Sequence, residues 1–177
     1  YGPFFYSFYN PRTSVKLGII RNMKILYVIT STDVGGAEKA LLELSVKTAQ
    51  VHAVRVVCLK PLGPVAQELT KHHIEVISLN MRGYGGRIIQ KLAAQIKDFQ
   101  PDIVHAMLYS AIELCRLVRY TCKFTLVTTP HFDMSRQPYL WRAVDRTLKS
   151  LDKISFDESL STAQYLIGHQ KYLKSKV

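Results

Sequence analysis

The chain has 177 residues, a length that suits one domain with a complete hydrophobic core and is too short for two domains of ordinary size. Its formal net charge of +11 predicts a positive surface field that attracts phosphates, acidic lipids or nucleic acid. Nucleic acid is disfavoured because no zinc spacing and no RNA- or DNA-binding signature accompanies the charge. No apolar run reaches the roughly 18 residues of a membrane-spanning helix, so we expect a protein that is soluble or peripheral to a membrane.

The three cysteines, Cys58, Cys115 and Cys122, each fall in a segment that we interpret as a buried strand or apolar helix. An odd number of buried thiols is typical of a reducing compartment, so we expect a cytoplasmic protein, soluble or peripheral on the inner face of the membrane. No second cysteine or histidine pair completes a zinc-type spacing. We therefore expect no metal.

Residues 1–22 differ in composition from the rest of the chain. They are rich in Tyr and Phe, contain Pro3 and Pro11, include basic residues but no acid, and precede Met23. One interpretation is an extension that is not native or is disordered, with Met23 as the natural start. The other is an aromatic, basic arm that contacts a membrane. We do not expect this segment to be a signal peptide, because it lacks a continuous apolar stretch.

From Met23 onward, strand-like and helix-like segments alternate, which is typical of a mostly parallel sheet covered by helices on both faces. The predicted strands are 25–30, 54–59, 74–79, 103–107, 124–129 and 154–156. Helices are predicted at 37–48, after Pro64, around 89–96 and 111–118, at 140–151 and at 158–167. Right-handed crossovers give a six-stranded, doubly wound, Rossmann-like sheet of order 3-2-1-4-5-6, with ligands gathered at the carboxyl ends of the strands.

The first strand runs through a loop with two glycines, Gly35 and Gly36, straight into an amphipathic helix. Because glycine lacks a Cβ, the backbone there can adopt positive φ and approach a ligand closely, while the first helical amides point at it. Phosphate is the expected ligand; a tight turn that binds nothing is the alternative. The loop has neither the G-x-G-x-x-G spacing of dinucleotide oxidoreductases nor the GK[ST] of a P-loop.

Four segments resemble the amino-terminal domain of family 4 glycosyltransferases, in the order and roughly the spacing of that family. They are TDVGGAEKALLELS at 32–45, PDIVHAM at 101–107, LVTTPHFDM at 126–134 and LDKISFDES at 151–159. The resemblance implies the acceptor-side domain of a retaining, metal-independent hexosyltransferase of the two-domain GT-B architecture. It assigns 23–177 to that domain and implies that the carboxyl-terminal, donor-binding domain is absent from this chain.

The resemblance also implies a reaction. The complete protein would transfer a sugar from a nucleotide-sugar, a substrate rather than a cofactor, to a glycan or lipid-linked acceptor, as in synthesis of cell-envelope polysaccharides. The present chain alone would have little or no activity, and its partner would be its own second domain or a separate donor-domain subunit. Two alternatives stay open: a non-catalytic or membrane-recruiting subunit of a split enzyme, and an unrelated Rossmann-like nucleotide-binding module, for example of the epimerase type.

His131 leaves the fifth predicted strand at its carboxyl end, where side chains face the ligand cleft. By the resemblance, it matches the catalytic histidine that contacts the donor sugar near the reacting carbon, and Gly35 and Gly36 lie near the donor diphosphate. The chain departs from the family at Met107, where relatives often carry a second histidine, and at Asp157–Glu158, where a Ser-Glu pair is usual. His105 is interpreted either as a hydrogen-bonded core residue or as a ligand.

The remaining polar and aromatic side chains of these loops are assigned to the acceptor. Asp133 would orient His131, and Arg136 would bind an acceptor phosphate, although each could instead be a surface charge. Arg82 and Tyr84 are flanked by glycines in the loop NMRGYGG. This suits a mobile loop that offers a guanidinium and an aromatic ring to the acceptor. The acceptor-binding set is Asp33, Arg82, Tyr84, Tyr109, Asp133 and Arg136.

Overall fold

Six parallel strands form one sheet in the computed structural model, which describes residues 22–81, 85–131 and 138–156. The strands are β1 (Lys24–Ile29), β2 (Ala53–Cys58), β3 (Glu75–Ser78), β4 (Ile103–Met107), β5 (Thr125–Thr129) and β6 (Ile154–Ser155). Their order in space is β3-β2-β1-β4-β5-β6. The predicted Rossmann-like fold and the predicted strand order are both confirmed.

Helices connect the strands. They are α1 (Gly36–Ala49), α2 (Pro64–Lys71), α3 (Gly86–Phe99), α4 (Tyr109–Val118) and α5 (Tyr139–Leu148), and a short 3-10 helix, Lys149–Leu151, precedes β6. Pro64 opens α2, where its missing N–H costs nothing. Gln100 ends α3 in the left-handed conformation, with φ 52°. The amino-terminal arm and the helix predicted at 158–167 fall on residues outside the described ranges.

Two hydrophobic clusters cover the two faces of the sheet. Because side chains alternate along a strand, Leu26 and Val28 of β1 face one cluster, while Tyr27 and Ile29 face the other. The first cluster includes buried residues of α3 and α4, and the second includes Leu41 of α1 and residues of α2. Burial on both faces explains why β1 is an almost continuous apolar run rather than an alternating one.

The helical spacing of apolar residues in 37–48 and 140–151 predicts that Leu44 and Leu140 face the core, but both are exposed. Leu44 of α1 is 38% exposed, although its neighbour Ser45 is buried along with Ala37, Glu38 and Leu41. Leu140 of α5 is 69% exposed, whereas Asp145 is buried. In α5 the reason is that the helix packs through a buried ion pair instead of an apolar stripe. Leucine spacing alone could not reveal this, since the partner of Asp145 lies on another helix.

All three cysteines are buried, as predicted. Burial raises the pKa values of the Cys58 and Cys115 thiols, which disfavours the reactive thiolate. Within the described ranges, no helix is both long and apolar enough to span a bilayer. The same ranges hold no group of three or more His, Cys, Asp or Glu side chains placed to bind a metal ion.

Candidate functional site

Three loops begin side by side at the carboxyl edge of the sheet. Ile29 of β1 is in register with Met107 of β4, and Met107 is in register with Thr129 of β5. Adjacent strands lie about 4.8 Å apart, so the loops after β1 and β5 leave the sheet roughly 10 Å from each other. This edge is where open α/β sheets bind ligands, and it brings the glycine loop and His131 to one cleft.

The glycine loop does not use the backbone conformation that we predicted for it. Gly35 is extended, with φ −159° and ψ 178°, and no glycine of the described residues has a positive φ. A Cβ at Gly35 would lie 2.4 Å from Glu38 Oε2, so a larger residue there would displace the end of that buried carboxylate. Gly36 has no such neighbour: a Cβ there would meet nothing within 4 Å.

The start of α1 is therefore open toward the cleft. No side chain caps the helix, so the amides of its first turn keep their hydrogen-bonding capacity for solvent or a ligand. The open space around Gly36 gives an anion a path to those amides. Phosphate binding at this corner stays a prediction, and closeness of approach rather than positive φ is what Gly36 would provide for it.

Glu38 holds the glycine loop from within α1. Its side chain is buried, and Ser31 Oγ donates a 2.9 Å hydrogen bond to Glu38 Oε1. A carboxylate in the first turn also interacts favourably with the helix dipole. We did not single out Glu38 from the sequence; the signal was a charged residue within the first turn of an otherwise Ala/Leu-rich helix.

Thr32 joins the loop after β1 to the loop after β2. It is fully buried, its Oγ1 accepts a 2.8 Å hydrogen bond from Gly63 N, and its carbonyl accepts one of 3.0 Å from Val65 N. A Cβ at Gly63 would lie 2.5 Å from the Thr32 carbonyl oxygen, so this contact requires glycine. The sequence analysis missed this clamp. Asp33, next to it, is exposed at the cleft edge.

His131 follows β5 through Pro130 and adopts φ 54°, in the left-handed region. Leu108, at the end of β4, has φ 70° and ψ 152°, a combination that is almost restricted to glycine. The two segments are adjacent, since Leu108 N donates to Thr129 O at 3.3 Å. Each such residue costs on the order of 1–3 kcal/mol, and strained residues of this kind cluster at ligand and active sites.

His105 lies close to His131 and is neutral at physiological pH. Burial, with a smaller contribution from the nearby His131, lowers its pKa to about 4. His105 Nε2 lies 2.7 Å from Thr129 Oγ1, and its ring lies 5.4 Å from that of Tyr27. Of the two interpretations left open, the structure places His105 as a hydrogen-bonded residue of the sheet, one layer beneath the cleft.

Tyr109, the first residue of α4, contacts the first turn of α5. Its ring stacks on Trp141, with centroids 4.6 Å apart and an interplanar angle of 6°, and its hydroxyl donates to the Trp141 carbonyl at 3.1 Å. Both helices begin at the carboxyl edge of the sheet, so this aromatic pair forms one rim of the cleft. The other predicted acceptor residues, Arg82, Tyr84, Asp133 and Arg136, lie outside the described residues.

A buried charge cluster fixes α5, and the sequence analysis did not find it. Arg116 of α4 is 1% exposed and donates to three acids: to Asp152 through two nitrogens at 2.9 and 2.5 Å, to Glu113 at 2.7 Å and to Asp145 at 2.8 Å. Thr128 of β5 also donates to Asp152, at 3.2 Å. Glu113 and Arg116, three residues apart in an otherwise apolar helix, were the available signal.

The cluster holds α5 to α4 through the pair of Arg116 and Asp145. Burial raises the pKa of Glu113, Arg116 opposes the rise, and the neighbouring Asp145 and Asp152 add to it; the resulting pKa is about 7. The cluster thus positions the cleft without lining it.

Comparison with solved structures agrees with this architecture. Alr3699/HepE from Anabaena, solved with UDP, superposes with a TM-score of 0.74 at 19% identity, over 87% of this chain and 42% of that one. A glycosyltransferase from Rickettsia africae superposes with a TM-score of 0.71 at 21% identity, over 88% and 42%. The UDP-GlcNAc 2-epimerase of Neisseria meningitidis gives 0.65 at 18% identity, over 88% and 46%.

These likenesses establish the fold, and this chain spans less than half the length of each of those proteins. No functionally curated protein matches the chain at a significant level. The sequence profile described as Glycosyltransferase Family 4 matches residues 34–176, which include the open glycine loop and His131. The chain therefore belongs to glycosyltransferase family 4.

Proposed function

We propose that this chain is the acceptor-side domain of a retaining, metal-independent hexosyltransferase, which transfers a sugar from a nucleotide-sugar to a glycan or lipid-linked acceptor in the cytoplasm. The observation that carries the proposal is the carboxyl edge of the sheet, where the strained Leu108 and His131 lie one and two strands from the strand that leads to the open end of α1. Structures with the same fold hold UDP and UDP-glucose, which supports a nucleotide-sugar donor.

In this proposal each side of the cleft has one task. The uncapped amides beside Gly36 bind the diphosphate of the donor, because they offer hydrogen bonds and partial positive charge. His131 orients a hydroxyl of the donor sugar near the reacting carbon, as the family's histidine does. Asp33 and Tyr109 at the rim contact the acceptor, together with Arg82, Tyr84, Asp133 and Arg136.

The nucleotide would be held by a second domain. We assign residues 23–177 to the acceptor half, and the donor half would come from another part of the gene product or from a separate subunit. The chain spans 42% of Alr3699/HepE, which leaves room in such proteins for that second half. A non-catalytic subunit of a split enzyme is the alternative, and co-purification with a second Rossmann-like protein would favour it.

The decisive experiment compares His131→Ala with His72→Ala in the complete gene product or assembled complex. His72 is an exposed residue at the end of α2, so it controls for loss of a histidine away from the cleft. We expect His131→Ala to lower the rate of UDP release from UDP-glucose, with membrane extract as acceptor, by about 100-fold or more, and His72→Ala to leave it unchanged.

The stereochemistry is tested on the same product. NMR of the new glycosidic bond should show the anomeric configuration of the donor, since the proposal is a retaining enzyme. An inverted product would overturn the mechanism, and an unchanged rate in His131→Ala would overturn the assignment of the site.

A further inference from the structure

His105 is a polar side chain on an otherwise apolar face of β4. Its neighbours on that face, Ile103 and Met107, pack into the same cluster as Tyr27 and Ile29 of β1. An imidazole brings two ring nitrogens that need hydrogen-bond partners there, and an aliphatic side chain would not. The packing of the sheet alone therefore does not account for a histidine at this position.

The hydrogen bond of His105 runs toward the carboxyl edge of the sheet. His105 is in register with Val127 of β5, yet its Nε2 lies 2.7 Å from Oγ1 of Thr129, two residues further along that strand. Thr129 is the last residue of β5 and is buried. The histidine thus binds the residue at which the chain leaves the sheet for the cleft.

Two aromatic rings limit the rotation of the His105 side chain. The Tyr27 ring lies 5.4 Å from it at an angle of 44°, and the Phe156 ring lies 6.4 Å from it at 55°. Tyr27 is itself fixed, because its hydroxyl lies 3.0 Å from Thr48 Oγ1 of α1. The imidazole is therefore held from β1 and from the end of β6 while its Nε2 binds Thr129.

Thr129 is bound at a second atom as well. Its carbonyl accepts a hydrogen bond of 3.3 Å from Leu108 N, so its side chain and its backbone are both tied to the segment of β4. Pro130 comes next; its ring fixes its own φ at about −65° and confines the residue before it to extended backbone. Few torsions are thus left free between Thr129 and His131, which adopts φ 54°.

We propose that His105 is a positioning residue for His131: its hydrogen bond to Thr129, passed on through Pro130, holds the left-handed backbone of His131 at the cleft. A site residue must lie within about 0.5 Å of its productive geometry, and hydrogen bonds from a supporting layer of residues supply that precision. His131 is held by these contacts whatever the reaction, whereas the effect of His105 on sugar transfer rests on the proposed function.

His105 does not act as a general acid at physiological pH. Burial lowers its pKa to about 4, so the ring is neutral there. A neutral imidazole that binds a threonine hydroxyl beneath the cleft has an orienting task rather than a proton to deliver. The shape of the pH profile of turnover should therefore be the same with and without His105.

Backbone dynamics test the holding directly, on the 177-residue chain and without substrate. The ¹⁵N order parameter of the His131 amide should be about 0.85, and Thr129→Val or His105→Phe should lower it to about 0.6 or less. His105→Gln should restore it, because a glutamine amide reaches the same hydroxyl. Thr48→Val is the matched control: it removes a hydroxyl at the Tyr27 end of the same cluster and should leave the order parameter unchanged.

Turnover in the complete gene product or assembled complex tests the consequence. His105→Phe and Thr129→Val should each lower kcat for UDP release from UDP-glucose by about 10- to 100-fold, since a misplaced site residue loses orientation. KM for UDP-glucose should change by less than about threefold, because the amides at the start of α1 are untouched. His105→Gln should recover most of the rate, and Thr48→Val should keep it.

A double variant separates positioning from stability. When His105→Phe and Thr129→Val are combined, neither partner of the hydrogen bond is left unpaired, so the midpoint of urea denaturation should equal or exceed that of either single variant. The kcat should nevertheless stay as low as in the single variants, since both changes break one interaction. A rate that recovers together with stability would show that the bond serves packing only, and would overturn the inference.

Two further results would overturn it. One is a rigid His131 amide in both Thr129→Val and His105→Phe; the other is a rate within about threefold of wild type in both, while His131→Ala is inactive. If His131→Ala keeps its rate, the proposed function fails, and the order parameters alone decide. Loss of order at His131 that His105→Gln restores would then retain this inference.

Discussion

Three glycines near the cleft differ in what surrounds them. Gly35 leaves room for the buried carboxylate of Glu38, and Gly63 leaves room for the carbonyl of Thr32. A Cβ at Gly36 would meet nothing within 4 Å. A residue whose small size is not needed by the fold itself is a candidate for contact with a ligand, so the pair of Gly36 and Gly63 separates binding from folding.

Alanine at these two positions should give opposite results. Gly63→Ala should lower the free energy of unfolding by about 1–3 kcal/mol, because its Cβ meets backbone that is itself hydrogen-bonded. Gly36→Ala should keep or raise stability by up to about 1 kcal/mol, since alanine favours the helix, while it weakens UDP-glucose binding by the complete protein. Urea denaturation and calorimetric titration measure the two effects; equal stabilities would contradict the packing argument.

His131 illustrates what single residues reveal before the fold is known. Its position at the exit of a predicted strand marked it as a cleft residue, and the structure places it there in the left-handed region. The strain at Leu108 was not predictable, because leucine gives no local sign of a glycine-type conformation. That conformation comes from the adjacent strands, which fix both ends of the segment.

At the scale of elements, α5 is the helix that sequence periodicity describes least well. The pattern of leucine and valine predicted an apolar stripe, yet the buried residue is Asp145 and Leu140 is exposed. Arg116 explains the difference, since it offers hydrogen bonds to three carboxylates at once. Removing one member of such a buried cluster leaves uncompensated charge, so α5 depends on all of its members.

Glu113 should make stability depend on pH. Its pKa is about 7 in the folded protein and near 4.5 when unfolded, so the folded state keeps a proton that the unfolded chain releases between those values. That stabilisation is complete below pH 4.5 and is lost as the pH rises through 7. From pH 5 to pH 8, the free energy of unfolding of wild type should therefore fall by roughly 2–3 kcal/mol more than that of Glu113→Gln.

Urea denaturation at the two pH values tests this difference within each protein, so that any constant cost of the glutamine cancels. Glu43→Gln, an exposed change on α1, should follow the wild-type pH dependence. Parallel pH profiles for wild type and Glu113→Gln would show that Glu113 does not hold its proton in the folded state.

At the scale of the whole molecule, the chain forms a full six-stranded sheet but spans only 42% of Alr3699/HepE. In the proposed function, the second domain holds the nucleotide, and the α1 amides of this chain contact only the diphosphate. The 177-residue chain by itself should therefore show little or no turnover of common sugar nucleotides, measured as nucleotide release. Robust turnover would contradict this prediction, and the complete gene product or assembled complex is the positive control.

The sequence by itself determined the family, the order of the strands in the sheet, and which residues follow the carboxyl end of each strand. Alternation of apolar strands and amphipathic helices leaves few right-handed topologies, and β1 and α1 carry their own periodicity and glycine signals. Only the tertiary structure decided the contacts between distant residues: Gly63 with Thr32, His105 with Thr129, and Arg116 with Asp145 and Asp152. Such contacts depend on which elements pack together, and local periodicity does not record the partner of a polar side chain.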